Sequence, residues 1–327
     1  MVWGLLKYYL FFVLLFSLIS KIHPQQIPSY SQYTFNTFLI NPAVAGSDGY
    51  TSINLTSRLQ WVGIKGAPVN NSVSIQARIF KRDFIQKSKS AKKKYVAPKR
   101  SGRVGLGAYA FIDKAGPLNY SGVRFCYAYH IKMYKSKISY GLAMGLYQLK
   151  IDKNYLILEN MDDKLINSSN LYQIAPDINA GFYYTRKSLF LGFSVENLLQ
   201  NQLNFATYNG NYKAIRQYNL ISGYWIDAFK HLALEPSIYL KLRQHMATQF
   251  DISLKATLFD FFWMGVNHKT GKICSLFTGI KLDRFHFGYA YDLYGNFIES
   301  ANYPTHELML TLKLGDNTRR YRWIERY

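Results

Sequence analysis

Past residue 20 the 327-residue chain has no run of apolar residues approaching the ~20 that a membrane-crossing helix needs. That excludes an α-helical membrane protein, although hydrophobic residues make up 49% of the chain. Acidic residues are scarce: 19 Asp+Glu stand against 40 Lys+Arg, a net charge of +21. Such a balance suits an anionic partner, whether nucleic acid, a membrane surface, a wall polymer or an acidic protein. Cysteine is nearly missing, with only Cys126 and Cys274. Each falls inside a predicted strand, far from the other in strand order, while a disulfide needs Cα atoms within about 7 Å. Two buried free thiols are expected.

The motifs of common chemistries are missing too. His306-Glu307 runs into Leu308-Met309-Leu310, so no H-E-x-x-H zinc site forms there. Gly105-Leu-Gly107-Ala-Tyr-Ala110 brushes a dinucleotide fingerprint, but the residues that follow alternate as a strand where that motif must open a helix. Small residues where strands or a lumen segment pack closely are the expected reading. Gly265–Lys272 is one residue too long for a phosphate-binding loop and has no Ser or Thr after Lys272. His130, His231, His245, His268, His286 and His306 are scattered, without an obvious Ser or carboxylate partner for a hydrolase. The expectation is no enzyme, no cofactor and no metal site.

One apolar run is present, Tyr8 to Ile19, preceded by Lys7 and followed by Ser20-Lys21-Ile22-His23-Pro24. Its length suits the core of a secretory signal, with cleavage between Ser20 and Gln25, the alternative being an uncleaved anchor helix. Residues 1–24 are therefore read as a signal peptide, and export argues against nucleic acid as partner.

What the mature chain does have is aromatic residues, 17% of the total, and a persistent period of two. Gln249, Asp251, Ser253, Lys255 and Thr257 oppose Phe250, Ile252, Leu254 and Ala256; Ser74, Gln76 and Arg78 oppose Val73, Ile75 and Ala77. A helix would scatter these sets, whereas a strand sends them to opposite faces. Candidate strands fall at 49–61, 69–82, 102–113, 118–131, 136–150, 173–186, 188–196, 214–228, 231–243, 247–258, 260–268, 273–282, 284–292 and 305–315. Their number is even, and most reach the ~9–11 residues that a tilted strand needs to cross a membrane. Even-numbered strands end in tight connections such as Lys187, Phe229-Lys230, Phe259 and Asp283, and odd-numbered ones lead into 151–172, 197–213 and 293–304. Short periplasmic turns and long outer loops mark an outer-membrane barrel. Aromatic pairs near strand ends, including Tyr127 and Tyr129, Tyr183 and Tyr184, Phe262 and Trp263, and Tyr289 and Tyr291, suit interfacial girdles. A secreted soluble sandwich is the rival fold.

The expected architecture is thus an all-β transmembrane antiparallel barrel of about 14 strands over 49–315, after a segment 25–48 that packs in or under the lumen and before a basic tail 316–327. Pro28, Asn41-Pro42 and Gly46 break any strand in that segment, while Phe35, Phe38, Leu39 and Ile40 need burial. The alternation turns Arg58, Arg78, Asp177, Glu235, Arg243, Asp251, Lys255 and Glu307 inward, along with Arg103, Lys241, Lys281 and Lys313. They form either an ion-paired filling or a basic constriction that selects anions. The long connection after the second strand carries Lys92, Lys93 and Lys94 within a basic stretch 87–100. It is either a solvated loop or a docking arm for an acidic periplasmic partner. Tyr155, Tyr172, Tyr208 and Tyr212 on the outer loops are candidate anchors for a protein partner, since Tyr covers much area at small entropic cost.

Several segments, in order, resemble the PorP/SprF family of outer-membrane proteins of type IX secretion and gliding in Bacteroidota. They are Tyr30-Ser-Gln-Tyr33, Asn41-Pro-Ala-Val-Ala-Gly46, Gln60-Trp-Val-Gly63, Gly66-Ala-Pro68, Asp113-Lys-Ala-Gly-Pro-Leu118, Tyr127-Ala-Tyr-His130, Gly192-Phe-Ser-Val-Glu-Asn-Leu-Leu199, Leu234-Glu-Pro-Ser237, Phe262-Trp-Met-Gly265 and Gly288-Tyr-Ala-Tyr-Asp292. The resemblance implies a bacterial outer-membrane protein that helps a secreted adhesin-like protein, bearing a type IX C-terminal signal domain, to be exported or held at the cell surface. The implied partners are that substrate, other periplasmic or outer-membrane secretion components, and outer-membrane lipids. An anion-preferring diffusion channel is the alternative function.

Overall fold

The computed structural model describes residues 30–79, 103–133, 135–152, 172–204, 211–244, 246–271, 273–294 and 303–314. The alternating segments become strands: β1 (Thr51–Leu59), β2 (Val69–Ile79), β3 (Val104–Ala115), β4 (Leu118–Lys132), β5 (Ser136–Ile151), β6 (Tyr172–Arg186), β7 (Leu189–Glu196), β8 (Gln202–Asn204), β9 (Asn211–Lys213), β10 (Gln217–Tyr224), β11 (Ile226–Phe229), β12 (Leu232–Arg243), β13 (Gln249–Leu258), β14 (Phe262–Lys269), β15 (Ile273–Leu282), β16 (Phe285–Tyr294) and β17 (Thr305–Leu314). β8 and β9 pair only with each other, a small hairpin on an outer loop that the sequence reading did not anticipate. The remaining strands form one antiparallel sheet in which β1 pairs with β17, Leu55 opposite Leu310, and β10 pairs with both β7 and β12. β10 and β11 are one strand interrupted at Trp225, both lying along β12. The wall is therefore a closed barrel of 14 strands, as the alternation predicted.

Its polarity is inverted relative to a water-soluble domain. On β4 the Phe125 side chain is 67% exposed, and its neighbour Arg124 only 5%. Leu55, Val73, Leu142, Leu254, Leu276 and Leu308 likewise face out, beside buried Asn54, Ser72, Ala143, Ser253, Ser275 and Glu307. A sandwich would bury the first set and solvate the second, so the rival fold fails; an outward apolar band around a polar interior is what lipid requires.

The two rims differ. At one, short connections join the strands at 133–135, 187–188, 230–231, 259–261 and 283–284, several passing through left-handed backbone at Lys187, Phe259, Asp260 and Asp283. The other carries the long connections 152–171, 197–216 and 295–304, but also two tight ones, Gly116-Pro117 and 270–272. Loop length is sorted by parity except for the long connection between β2 and β3 at the turn rim, the one exception also expected from the sequence, and less strictly at the other rim. Two expected girdle residues turn inward instead: Trp263 is buried at 4% exposure and Tyr183 packs against the core, while Tyr127, Tyr129 and Tyr289 do face out. Both cysteines are free, Cys126 buried inside and Cys274 only half-buried.

Replacing Leu254, outward on β13, by Arg is expected to destabilise the barrel by about 2–4 kcal/mol, the cost of a cation at mid-bilayer. The neighbouring inward change Ser253→Thr should cost well under half of that. Urea unfolding in phospholipid vesicles, followed by tryptophan fluorescence, measures both.

Candidate functional site: the occupied lumen

A polar inner wall must meet either water or protein. Here it meets the chain's own residues 30–49, which run down the barrel from near the loop rim to the turn rim and then enter β1. Two short 3-10 turns, Thr37–Leu39 and Pro42–Val44, compact the segment. Asn41 holds the second turn: its Oδ1 accepts from the Ala43 amide (2.9 Å), and its Nδ2 donates to the carbonyls of Phe182 (2.9 Å) and Phe193 (3.2 Å). The wall makes room with glycine. A side chain at Gly105 would strike the Ala45 carbonyl, one at Gly107 the Phe38 ring, and one at Gly141 the backbone of Ala43. Here the small-residue reading of Gly105-Leu-Gly107 finds its cause.

The segment's apolar side chains sit in three patches of the wall. Phe38, Val44 and Ala45 pack with Tyr109, Phe111, Cys126, Ala128 and Ala143. Tyr33 lies against Ile221 and Tyr239, its hydroxyl 3.0 Å from Ser237 Oγ. Phe35 lies tilted against Trp263 with ring centroids 4.7 Å apart, and Lys255 Nζ lies 4.6 Å above the Phe35 ring.

The firmest seat belongs to Ser31. Arg58 bridges Asp292 (2.5 Å) and Glu307 (3.0 Å), and Lys269 approaches Asp292 at 3.5 Å, all nearly sealed from solvent. Into this knot Ser31 inserts every polar atom it has. Its amide donates to Glu307 Oε2 (2.7 Å) and its hydroxyl to Asp292 Oδ1 (2.7 Å). The same hydroxyl oxygen accepts from Arg58 and Lys269, each at 2.7 Å, and its carbonyl accepts from Asn267 (3.2 Å). The Gln32 amide adds a bond to Glu307 Oε1 at 3.1 Å. Two cations and two carboxylates balance, which is the condition under which buried charge is tolerable. At the other end Lys137 (2.9 Å) and Arg78 (3.3 Å) both donate to the Ser47 carbonyl.

Of the twelve charges that the alternation turns inward, Arg58, Arg78, Asp177, Glu235, Arg243, Asp251, Lys255 and Glu307 face the lumen, in separate groups. Arg58 and Glu307 belong to the Ser31 knot. Asp177 pairs with Arg124 (2.8 Å), which also reaches Glu196 (3.7 Å). Glu235 and Lys255 form their own ion pair. Asp251 accepts from Gln249 (2.9 Å), and Arg243 donates to Gln217 (2.6 Å). Lys241 is buried and Lys313 pairs with Asp48 at 3.8 Å. Arg103 corrects the reading: it precedes β3, is exposed, and reaches the outward Tyr129 hydroxyl at 3.5 Å. The sequence reading missed Arg124, Lys137, Glu196, Lys269 and Asp292. Extending the alternation of 118–131 would have found Arg124, whose neighbours Val123 and Phe125 face out. Of the proposed anchors, Tyr172 is exposed at the loop end of β6 and Tyr212 lies in β9 opposite Leu203. Tyr155, Tyr208 and Lys92, Lys93 and Lys94 lie outside the described residues.

Glu307→Ala should remove both amide acceptors of Ser31 and Gln32 and leave Arg58 and Lys269 with Asp292 as their one carboxylate in the knot. A loss of about 3–5 kcal/mol is expected for breaking such a buried pair. The segment should loosen first: a Cys placed at Tyr33, inert to maleimide in the parent barrel, should label at least tenfold faster beside Glu307→Ala.

Comparison with known structures returns other outer-membrane barrels at low identity. The toluene transporter TbuX of Ralstonia pickettii aligns over 85% of this chain and 93% of its own, with 11% identity and a TM-score of 0.48. The monoaromatic hydrocarbon channel TodX, as a deletion mutant, aligns over 84% and 92% with 9% identity and a TM-score of 0.45. A mutant porin of Rh. blastica covers 81% and 99% with 6% identity and a TM-score of 0.33. Among curated proteins none matches. The family model described as type IX secretion system membrane protein PorP/SprF matches residues 22–312. With nearly the whole chain matched and a closed barrel formed, this is an outer-membrane protein that belongs to the PorP/SprF family of type IX secretion.

Proposed function

We propose that this barrel is a plugged scaffold, without chemistry of its own, that helps a secreted adhesin-like protein to be exported or holds it at the cell surface. Membership of the type IX system places it alongside secretion components and cargo. What favours a scaffold over a diffusion channel is one observation: the lumen is filled by residues 30–49, fixed at both ends through Ser31 and Ser47. A pore lined by Arg58, Arg78 and Arg243 would need those side chains free, whereas each is engaged in hydrogen bonds. Contact with cargo then falls to the loop rim. There Arg216 ties to the Leu198 carbonyl (2.9 Å) and Asn197 to the Ile215 carbonyl (3.0 Å), bracing the base of the 197–216 connection. The partner is a protein carrying a type IX C-terminal signal domain, met by exposed tyrosines such as Tyr172.

In planar bilayers the purified barrel should be silent, and deletion of residues 30–47 should give stable conductance steps. Steps from the intact protein would instead support the anion-preferring channel. Exchanging 153–171 and 198–212 for short turns should abolish surface retention of the secreted partner on whole cells while heat-modifiable gel migration persists. Unchanged retention would remove the loop rim from the assignment.

A further inference from the structure

The barrel wall is not convex all the way round. Across β3, β2, β1, β17, β16 and β15 its lipid side sinks into a trough of about 610 Å³. Outward Leu55, Val73, Ile112, Phe287, Leu308 and Leu310 line it. On the inner face the same strands carry the small Thr56, Ser72, Gly279 and Gly288 beside the larger Phe111 and Met309. A side chain at Gly288 would strike Gln32, and Asn36 reaches Ser74 at 3.5 Å.

The margin of the trough toward the loop rim has different chemistry. Ser57 and Asn71 face out there, and the Tyr289 hydroxyl is hydrogen bonded to His306 Nδ1 at 2.7 Å. Above Ile112 on the same face stands exposed Lys114, and Lys65 sits in the adjoining 60–68 connection. The 60–68 connection that carries Lys65 is tied to the end of β3, which carries Lys114, by the Gly116 amide donating to the Gly66 carbonyl at 2.9 Å. Among the described residues, the outward faces of β1, β2, β3 and β17 and the 60–68 connection hold no carboxylate. An apolar trough surmounted by hydrogen-bonding groups and two exposed lysines has the polarity of an amphiphile. Its volume lies within the roughly 300–1,000 Å³ of pockets that hold a discrete ligand. Since short turns face the periplasm, the loop rim lies at the outer leaflet.

We propose that this trough over the β1–β17 seam binds an acylated, phosphate-bearing lipid of the outer leaflet, its chains against Leu55 and Leu308 and its phosphate between Lys65 and Lys114. The site goes beyond the scaffold reading and does not depend on it. A phosphate so held is bound chiefly by charge, so retention should fall with salt and with charge reversal.

The test is native mass spectrometry of the full-length barrel, delipidated in mild detergent and then given phosphorylated lipid A, dephosphorylated lipid A or phosphatidylethanolamine. The parent should retain phosphorylated lipid A at least tenfold better than either of the others. Lys65→Glu with Lys114→Glu should erase that preference, and Val73→Trp with Leu308→Trp, which fills the trough, should abolish retention. Heat-modifiable migration verifies folding of each variant. The proposal is overturned by equal retention of all three lipids, by retention indifferent to both double variants, or by a second protein chain in place of the lipid.

Discussion

A peptide group inside hydrocarbon has no water to bond to, and each amide or carbonyl left unpaired there costs several kcal/mol. That penalty forces the ends of the chain together: β1 must find β17, because no other arrangement leaves both without an open edge. Once the ladder is closed, every side chain has one of two fates, lipid or lumen. The period of two then dictates the rest, including which glycines face inward and which leucines face lipid.

Closure at this circumference creates a second problem. A barrel of about eight strands is filled by its own side chains, whereas one of about 16 leaves an aqueous channel. This wall lies between those limits, and the space left is taken by backbone. The lumen segment serves as a core for a molecule whose apolar side faces away from it. It has the mixed character such a core needs, with Phe38 and Tyr33 in aromatic niches and Ser31 in a balanced cluster of charge. Large buried ion pairs are seldom a net gain over apolar packing. Here they set the position of a segment that could otherwise slide along a polar tube.

Strand positions were legible in the sequence because the alternation is strict where lipid and lumen alternate, as in Phe250–Thr257 or Val73–Arg78. The inward charges followed from the same rule. Less could be read where the rule gives no information. Which charges pair depends on register and on the lumen segment, so the joining of Arg58 to Asp292 across closure was invisible. Lys269 and Asp292 sit at strand ends, where the pattern fades into loop. Trp263 looked like an interfacial aromatic by type, yet it shares parity with buried Asn267 and Lys269 on β14, and inside the lumen it lies against Phe35. Arg103 failed for the opposite reason, since parity was extended one step past the strand. The β8–β9 hairpin, only three residues to a side, is too short to carry a period at all.

The composition of the Ser31 seat ties it to closure. Its walls come from β1, β14, β16 and β17, so Arg58 and the carboxylate that receives the Ser31 amide stand on opposite sides of the β1–β17 pairing. The seat is therefore whole only when those two edges are paired, whereas Asn41, Tyr33 and Ser47 take their contacts elsewhere on the wall. Opening that one ladder would split the pocket of Ser31 between two free edges and release a single end of the segment.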